Sequence, residues 1–288
     1  MGSCASHPEP PPLPEQFAAT ERCAALLLGG AVTIEAKLGE GATGCVYLAR
    51  WQEARVAIKV TRESRSEASL SLTLRHPHVV STFLAKTYQG QLWIVQEHCH
   101  LGSLRDFLRR DKGRAARGRA RMTNQQRVRI ATGVASGMLY LAGQGVVHGD
   151  LNCNNVLLTR VDDELCAKVA DFGIARNTTA WGCSHRFTET QGTLSHVAPE
   201  LMREGKLSAA VDVYAFGILL HELFTGTAAY GDLLAGQIIV NLATGNRPTF
   251  PADTHVDVTS LARRCWQDAP HARPGWTEIL ACLTQIQF

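Results

Sequence analysis

Apolar positions follow one spacing early in the chain and another later. From Ala31 to Val60 short apolar runs, among them Val32–Ile34 and Val56–Val60, flank a glycine-rich turn. Short runs bounded by turn residues read as strands. Leu92–Gln96 reads the same way. Around Glu67–Leu74 the period becomes helical, and His76-Pro77 stops it, because the residue before a proline is pushed out of helical geometry. From Leu104 onward helical spacing dominates, over about Thr123–Gly143, Ser208–Thr225, Leu233–Thr244 and Val258–Gln267. A small β-rich part followed by a larger α-rich part predicts an α+β chain with two unequal lobes. Ahead of both, residues 1–14 contain His-Pro-Glu-Pro-Pro-Pro-Leu-Pro, which predicts an extended tail. Residues 1–28 are therefore expected to be a flexible proline-rich tail, with a short helix at most near Pro14–Leu28. Residues 29–288 are expected to form the folded domain.

Composition adds limits. The 288 residues are 45% hydrophobic and 19% charged, enough for a sizeable core in one large domain or two lobes. A net charge of +3 does not argue for a nucleic-acid or membrane partner. The 9 cysteines are odd in number and scattered without a CxxC pair, which fits neither a disulfide framework nor a zinc site and favours a reducing compartment. No apolar run reaches the roughly 18–20 residues of a membrane span, and the start lacks the apolar core of a secretory signal. A cytoplasmic location is expected. Residues 109–121, Arg-Arg-Asp-Lys-Gly-Arg-Ala-Ala-Arg-Gly-Arg-Ala-Arg, read as an exposed basic loop joining two helices, in preference to a docking patch for acidic partners.

Candidate chemistry begins at Leu38-Gly39-Glu40-Gly41-Ala42-Thr43-Gly44-Cys45-Val46, a GxGxxGxV. A dinucleotide fold places such glycines between a strand and a helix. Here Cys45–Arg50 is strand-like, so a β-hairpin whose glycines let the backbone approach phosphates fits better. Val56-Ala57-Ile58-Lys59 puts a lysine among apolar neighbours, where it must reach a polar site, or else lie on a surface edge. His148-Gly149-Asp150-Leu151-Asn152-Cys153-Asn154-Asn155 supplies an acid and an amide five positions apart, and Asp171-Phe172-Gly173 supplies a second acid. Gly192-Thr193 and Ala198-Pro199-Glu200 follow, then Asp212–Gly217 and Cys265-Trp266 with Pro270 and Arg273-Pro274.

In this order the motifs resemble the eukaryotic protein kinase domain over residues 32–286. The Cys-Trp…Pro…Arg-Pro ending, with Gly192-Thr193, resembles the tyrosine-kinase-like group of serine/threonine kinases, numerous in plants and algae. The resemblance implies a bilobal fold: a β-rich N-lobe with an αC helix over about 29–96, a hinge over about 97–103, and a mainly helical C-lobe over about 104–288. It implies Asp150 as the acceptor of the substrate hydroxyl proton, with Asn155 and Asp171 holding Mg²⁺ or Mn²⁺. Lys59 is implied to orient the phosphates of ATP, paired with Glu67. Leu38, Gly39, Gly41, Gly44, Val46, Ala57, Gln96, Glu97, Cys99 and Leu157 are implied to line the nucleotide site, with Glu97 and Cys99 offering backbone groups to the adenine edge. His148 and Phe172 are implied in a lobe-linking stack, Arg273 in a buried pair with Glu200, and Asp212 as a cap on the catalytic loop.

Several positions depart from that pattern. Gly149 stands where many kinases have arginine, so a phosphorylated activation loop loses its usual partner; Thr178, Thr179, Ser184, Thr188 and Thr190 remain modifiable. Asn152 replaces a lysine that contacts the γ-phosphate; as an amide it can still donate there, without charge. Only 8 positions separate Lys59 from Glu67, which implies a short αC helix. Ser71 sits where an aliphatic side chain is usual, and His196 where tyrosine often stands. Two functions follow. The first is a protein kinase acting on serine or threonine, with dual specificity a variant of it. The alternative is a pseudokinase or scaffold that binds nucleotide, favoured by Gly149, Asn152 and Ser71 and opposed by Lys59, Asp150, Asn155 and Asp171. Protein substrates are the expected partners, with no nucleic acid. The start Met1-Gly2-Ser3-Cys4-Ala5-Ser6 fits an N-myristoylation acceptor with Cys4 as a second lipid site, the one route to a membrane; a short incidental match is the competing reading.

Overall fold

The computed structural model describes residues 15–41, 44–62, 71–117, 121–171, 176–177, 194–231 and 233–288. Glu67, Phe172, Gly192-Thr193, the modifiable threonines and serine between 178 and 190, and the Gly2/Cys4 start lie outside the described residues. The chain divides into two compact units. One is drawn from the chain up to Leu72 and from Thr82–His98; the other from Thr73–Ser81 and Cys99–Phe288.

The first unit contains a five-stranded antiparallel sheet covered on one face by a helix. Helix α1 (Glu15–Leu28) precedes β1 (Val32–Gly41), β2 (Gly44–Trp51), β3 (Ala54–Thr61), β4 (Thr82–Tyr88) and β5 (Gln91–Glu97), in the order β1-β2-β3-β5-β4. Side chains alternate across a strand, so Val56, Ile58 and Val60 of β3 share one face. With Ile34, Ala49, Trp93 and Val95 they form a core closed by Ala24, Phe17, Cys23 and Leu27 of α1. Phe17 meets Tyr47 edge-on, with ring centroids 6.0 Å apart, and Lys86 donates to the Leu27 carbonyl at the helix end. Residues 15–28 were expected to belong to the tail with at most a short helix. They form a helix of 14 residues that covers a sheet face.

The hairpin between β1 and β2 depends on Gly44. Its φ is +148°, and a Cβ there would lie 2.0 Å from the Val60 carbonyl oxygen. Only glycine lets β2 lie so close to β3 at this point.

The second unit is mainly helical. It contains α2 (Leu104–Ala116), α3 (Asn124–Gly143), α4 (Pro199–Glu204), α5 (Ala209–Thr225), α6 (Ala235–Ala243), α7 (Val256–Cys265) and α8 (Trp276–Gln285). Short strands β6 (Gly102–Ser103), β8 (Val156–Val161) and β9 (Glu164–Val169) form one small sheet; β7 (Val146–Val147) pairs with β10 (Arg176–Asn177). Helix α3 starts at a reciprocal cap: the Gln126 N–H donates to Thr123 Oγ1, and the Thr123 N–H donates to Gln126 Oε1. Helix α5 is buried on every side from Val211 to Leu223, which marks it as the centre of the core. The expected basic loop is a correction. Residues 109–116 continue α2, and Asp111 within them is buried, accepting from the Met122 N–H and from Arg127.

Close approach sets the position of the segment before β4. The Val80 N–H donates to the Val169 carbonyl, and the Val169 N–H to the His78 carbonyl. Helix α3 fits against this segment because Gly137 has no side chain: a Cβ there would lie 2.5 Å from the His78 carbonyl oxygen. Gly137→Ala is therefore expected to lower the stability of the second unit by about 1–3 kcal/mol through overpacking, read as an earlier midpoint in urea.

Candidate active site

Strand pairing groups the expected nucleotide residues of the first unit. Val46 lies opposite Lys59, and Lys59 opposite Ile94; Leu48 lies opposite Ala57, and Ala57 opposite Gln96. Val46, Ala57, Lys59 and Gln96 therefore share the sheet face turned away from α1. Gln96 is held there by its amide, which donates to Thr82 Oγ1 at 3.2 Å. Glu97 ends β5, and Leu38, half exposed, lies in β1 just before the glycine hairpin.

In the second unit, the loop from His148 to Asn155 runs between β7 and β8. Its first turn is fixed from α5. The carboxylate of Asp212, buried in the core, accepts from the His148 N–H and the Gly149 N–H, each at 2.8 Å. Burial raises the Asp212 carboxyl above its ordinary pKa, while those two donors pull the other way. Gly149 has φ +79°, a left-handed geometry that explains glycine at this position independently of any lost arginine contact.

The imidazole of His148 is fully buried and its proton is assigned by its partners. Nδ1 faces the Asp150 N–H at 3.2 Å and must accept; Nε2 faces the Ala170 carbonyl at 3.0 Å and must donate. Ala170 in turn donates its N–H to the Asn155 carbonyl at 2.8 Å. The residue before Asp171 is thus tied to both ends of the loop, which brings Asp150, Asn155 and Asp171 into one locality. Asp171 itself takes φ +60°, an uncommon geometry for a residue with a side chain.

Two amides bracket Asp150. Asn152 Nδ2 donates to Asp150 Oδ1 at 3.0 Å and to its carbonyl at 3.0 Å. Asn155 Nδ2 donates to Asp150 Oδ2 at 2.9 Å and to the same carbonyl at 2.8 Å. Burial raises the Asp150 carboxyl above its ordinary pKa, opposed by the hydrogen bonds from Asn155 and Asn152. Because its nitrogen is committed to Asp150, Asn155 presents Oδ1 as an oxygen donor. Asn152 is 1% exposed, and its own Oδ1 accepts from the Asn154 N–H at 2.8 Å. Sequence reading put Asn152 in the place of a phosphate contact, whereas its amide is used within the loop as a brace for Asp150. Nothing in the spacing of the motif signals that use.

Further from the loop, Cys99 is buried, its carbonyl accepts from the Gly102 N–H, and Leu157 packs with Cys99, Val80 and Ala170. Arg273 forms the expected two-pronged pair with Glu200, at 2.6 and 2.8 Å. Sequence reading missed a second buried group. Arg105 binds both oxygens of Glu222 at 3.0 and 2.8 Å, and His196 Nε2 lies 3.6 Å from the same carboxylate. Burial acts to raise the Glu222 pKa, but His196 and Arg105 outweigh it and hold the carboxyl below its ordinary value.

The family model for protein tyrosine and serine/threonine kinases matches residues 32–283, most of the chain. The chain belongs to that family. Among curated relatives, this kinase domain is 33% identical to the serine/threonine-protein kinase STY17 of Arabidopsis thaliana, over 88% of this chain and 44% of that protein. It is 31% identical to the serine/threonine/tyrosine-protein kinase HT1 of the same plant, over 86% of this chain and 64% of that one. It is also 31% identical to an RGS domain-containing serine/threonine-protein kinase of Dictyostelium discoideum, over 89% of this chain and 22% of that protein. The chain thus spans between 22% and 64% of the length of these relatives. The expected α+β kinase fold and the resemblance to the tyrosine-kinase-like group both agree with the matches. Among the described residues, no helix is long and apolar enough to cross a membrane.

Removing the Asp212 carboxylate orphans two backbone donors in a buried place. Asp212→Ala is expected to destabilise the second unit by about 1–3 kcal/mol for each orphaned N–H. A urea titration followed by tryptophan fluorescence measures it.

Proposed function

We propose that this kinase domain transfers the γ-phosphoryl group of ATP to serine or threonine hydroxyls of protein substrates. The observation that carries the reading is the Asp150 carboxylate held between the side-chain amides of Asn152 and Asn155. In the step proposed, the substrate oxygen bonds to the γ-phosphorus, its proton passes to Asp150, and the bond from phosphorus to the β–γ bridging oxygen breaks to release ADP. Such chemistry depends on positioning and charge more than on covalent catalysis. A carboxylate fixed at both oxygens is suited to receive a proton in one defined direction.

The Asn155 Oδ1 atom and the Asp171 carboxylate are hard oxygen donors, the type that suits Mg²⁺ or Mn²⁺. Bound there, such a cation would neutralise phosphate charge. Lys59, on the sheet face it shares with Val46, Ala57 and Gln96, is assigned to the α- and β-phosphates, with those neighbours against the adenine. The names of the plant and Dictyostelium relatives support serine or threonine as acceptor, and the name of HT1 adds tyrosine as a second acceptor class.

One observation favours the alternative of a nucleotide-binding pseudokinase. The Asn152 amide, at the position of the usual lysine, is engaged with Asp150 and brings no cation toward a γ-phosphate. Purified protein with Mg²⁺, labelled ATP and a basic protein substrate separates the two readings. Label on serine or threonine that falls by about 10²–10⁴ in Asp150→Asn, with ATP binding retained, supports transfer. ATP binding without transfer, with either Mg²⁺ or Mn²⁺, supports the pseudokinase.

A pH profile tests the brace. Asp150 must be ionised to take a proton, so kcat should fall as pH falls through its carboxyl pKa. Because that pKa is raised, the fall should begin at higher pH than an ordinary carboxylate gives. Asn152→Leu removes a donor to the charged form, and should move the acid limb of kcat to still higher pH. A lower kcat with the limb unmoved would make Asn152 only a packing residue.

A further inference from the structure

Helix α1 lies on the sheet face opposite Lys59 and is tied near both of its ends. At its start Phe17 meets the Tyr47 ring edge-on, and the Thr20 side chain hydrogen-bonds the Tyr47 hydroxyl. At its end the Leu27 carbonyl accepts from Lys86 of β4. Between the two, Ala24 is packed into the core. Because the strand order is β1-β2-β3-β5-β4, the helix joins the hairpin side of the sheet to the opposite edge. The kinase family match begins at residue 32, so α1 is an addition to the matched domain.

Two features give the tie at Tyr47 a consequence. The first is that the hairpin is weakly held by its own backbone. Strand β1 is at the sheet edge, and its pairing with β2 is interrupted between Ile34 and Ala36 and again between Lys37 and Gly39. Each interruption breaks the ladder locally. Toward the turn, a cavity of about 490 Å³ lies between Ala19 and Cys23 of α1 and Gly41, Gly44 and Cys45 of the hairpin. The support that α1 gives the hairpin therefore ends near Tyr47. The second feature is alternation. Val46 lies opposite Lys59, and Tyr47 opposite Ile58, so the two neighbours point to opposite sheet faces. A shift of Tyr47 moves Val46, and with it the face assigned to the nucleotide.

We propose that α1 is part of the nucleotide-binding apparatus, with Phe17 and Thr20 as positioning residues that act through Tyr47 on Val46 and the glycine hairpin. The proposal rests on the reading that this hairpin and Lys59 hold ATP.

Calorimetric titration of the full chain with Mg·ATP tests it. Phe17→Ala should weaken ATP by about five- to tenfold. The loss should fall on KM for ATP, with kcat at saturating ATP within about twofold of the unaltered chain. Phe17→Tyr keeps the ring and should restore binding to within about twofold. Thr20→Val removes the hydroxyl at Tyr47 with little change of volume and should cost about two- to threefold, which keeps the test open if Phe17→Ala does not fold. Leu27→Ala trims the sheet packing roughly 15 Å further along α1. It should lower the urea midpoint comparably to Phe17→Ala yet leave ATP affinity unchanged, a split that a merely structural role for α1 would not give. Hydrogen exchange reads the tie without ATP. Phe17→Ala should speed exchange at the Cys45–Leu48 amides by about five- to tenfold and leave the Trp93–Val95 amides unchanged. Equal ATP affinity in the unaltered chain, Phe17→Ala and Thr20→Val overturns the proposal. So does a weakening of ATP by Leu27→Ala as large as that by Phe17→Ala. An unaltered chain that binds no ATP, but whose β2 amides respond to Phe17→Ala, would contradict the nucleotide reading and leave the tie between α1 and the hairpin standing.

Discussion

A single carboxylate buried in the core of the second unit organises the candidate site. Asp212 sits on α5, a helix surrounded by protein, and accepts from two consecutive backbone N–H groups of the loop before Asp150. A buried carboxylate is costly to hold unless its oxygens are used, and a buried N–H is costly unless it is accepted. Each group is tolerable because of the other. The loop therefore has one favourable position relative to α5, and every later contact inherits it. His148 can reach Ala170 only from there, and through Ala170 the loop fixes the residue next to Asp171.

The same device recurs in the second unit. Arg273 joins Glu200 and also donates to the Ala210, Gln267 and Asp268 carbonyls, binding α4 to the start of α5 and to the turn after α7. Its guanidinium also lies over the Tyr214 ring, 5.2 Å from the centroid. Arg105 joins Glu222, tying α2 to α5, and Arg127 joins Asp111, tying α3 to α2. Buried ion pairs add little net stability over apolar packing, but removing one partner is severe, since the other charge is left without a counterpart. Their use here is positional. They set the register of helices whose apolar faces alone would permit sliding.

Much of this was legible in the residues, for reasons that differ by element. A short apolar run beside a glycine-rich turn made β3 readable, and in the fold Val56, Ile58 and Val60 face a core while Ala57 and Lys59 face away. Helices α3 and α5 were readable from long periodic runs. Helix α1 was underestimated because prolines precede it and its apolar face is understood only with the sheet it covers. Residues 109–116 were misread because their arginines and Gly113 suggested a loop; Asp111 was the clue, a lone acid that α3 needed for Arg127. In the candidate site, motif order singled out Asp150, Asn155 and Asp171, which the fold brings into one locality, and Asp212, which accepts from the loop before Asp150. It could not give the direction of the Asn152 amide. Residue type states what an amide can donate, and only the fold states to whom.

Hydrogen exchange at the His148 and Gly149 amides tests the central claim most directly. If Asp212 anchors the loop, both amides exchange only when the core around α5 opens, with protection close to that of the Phe216–Leu220 amides. Exchange of either at the rate of an exposed loop amide would show that the buried carboxylate does not hold this turn.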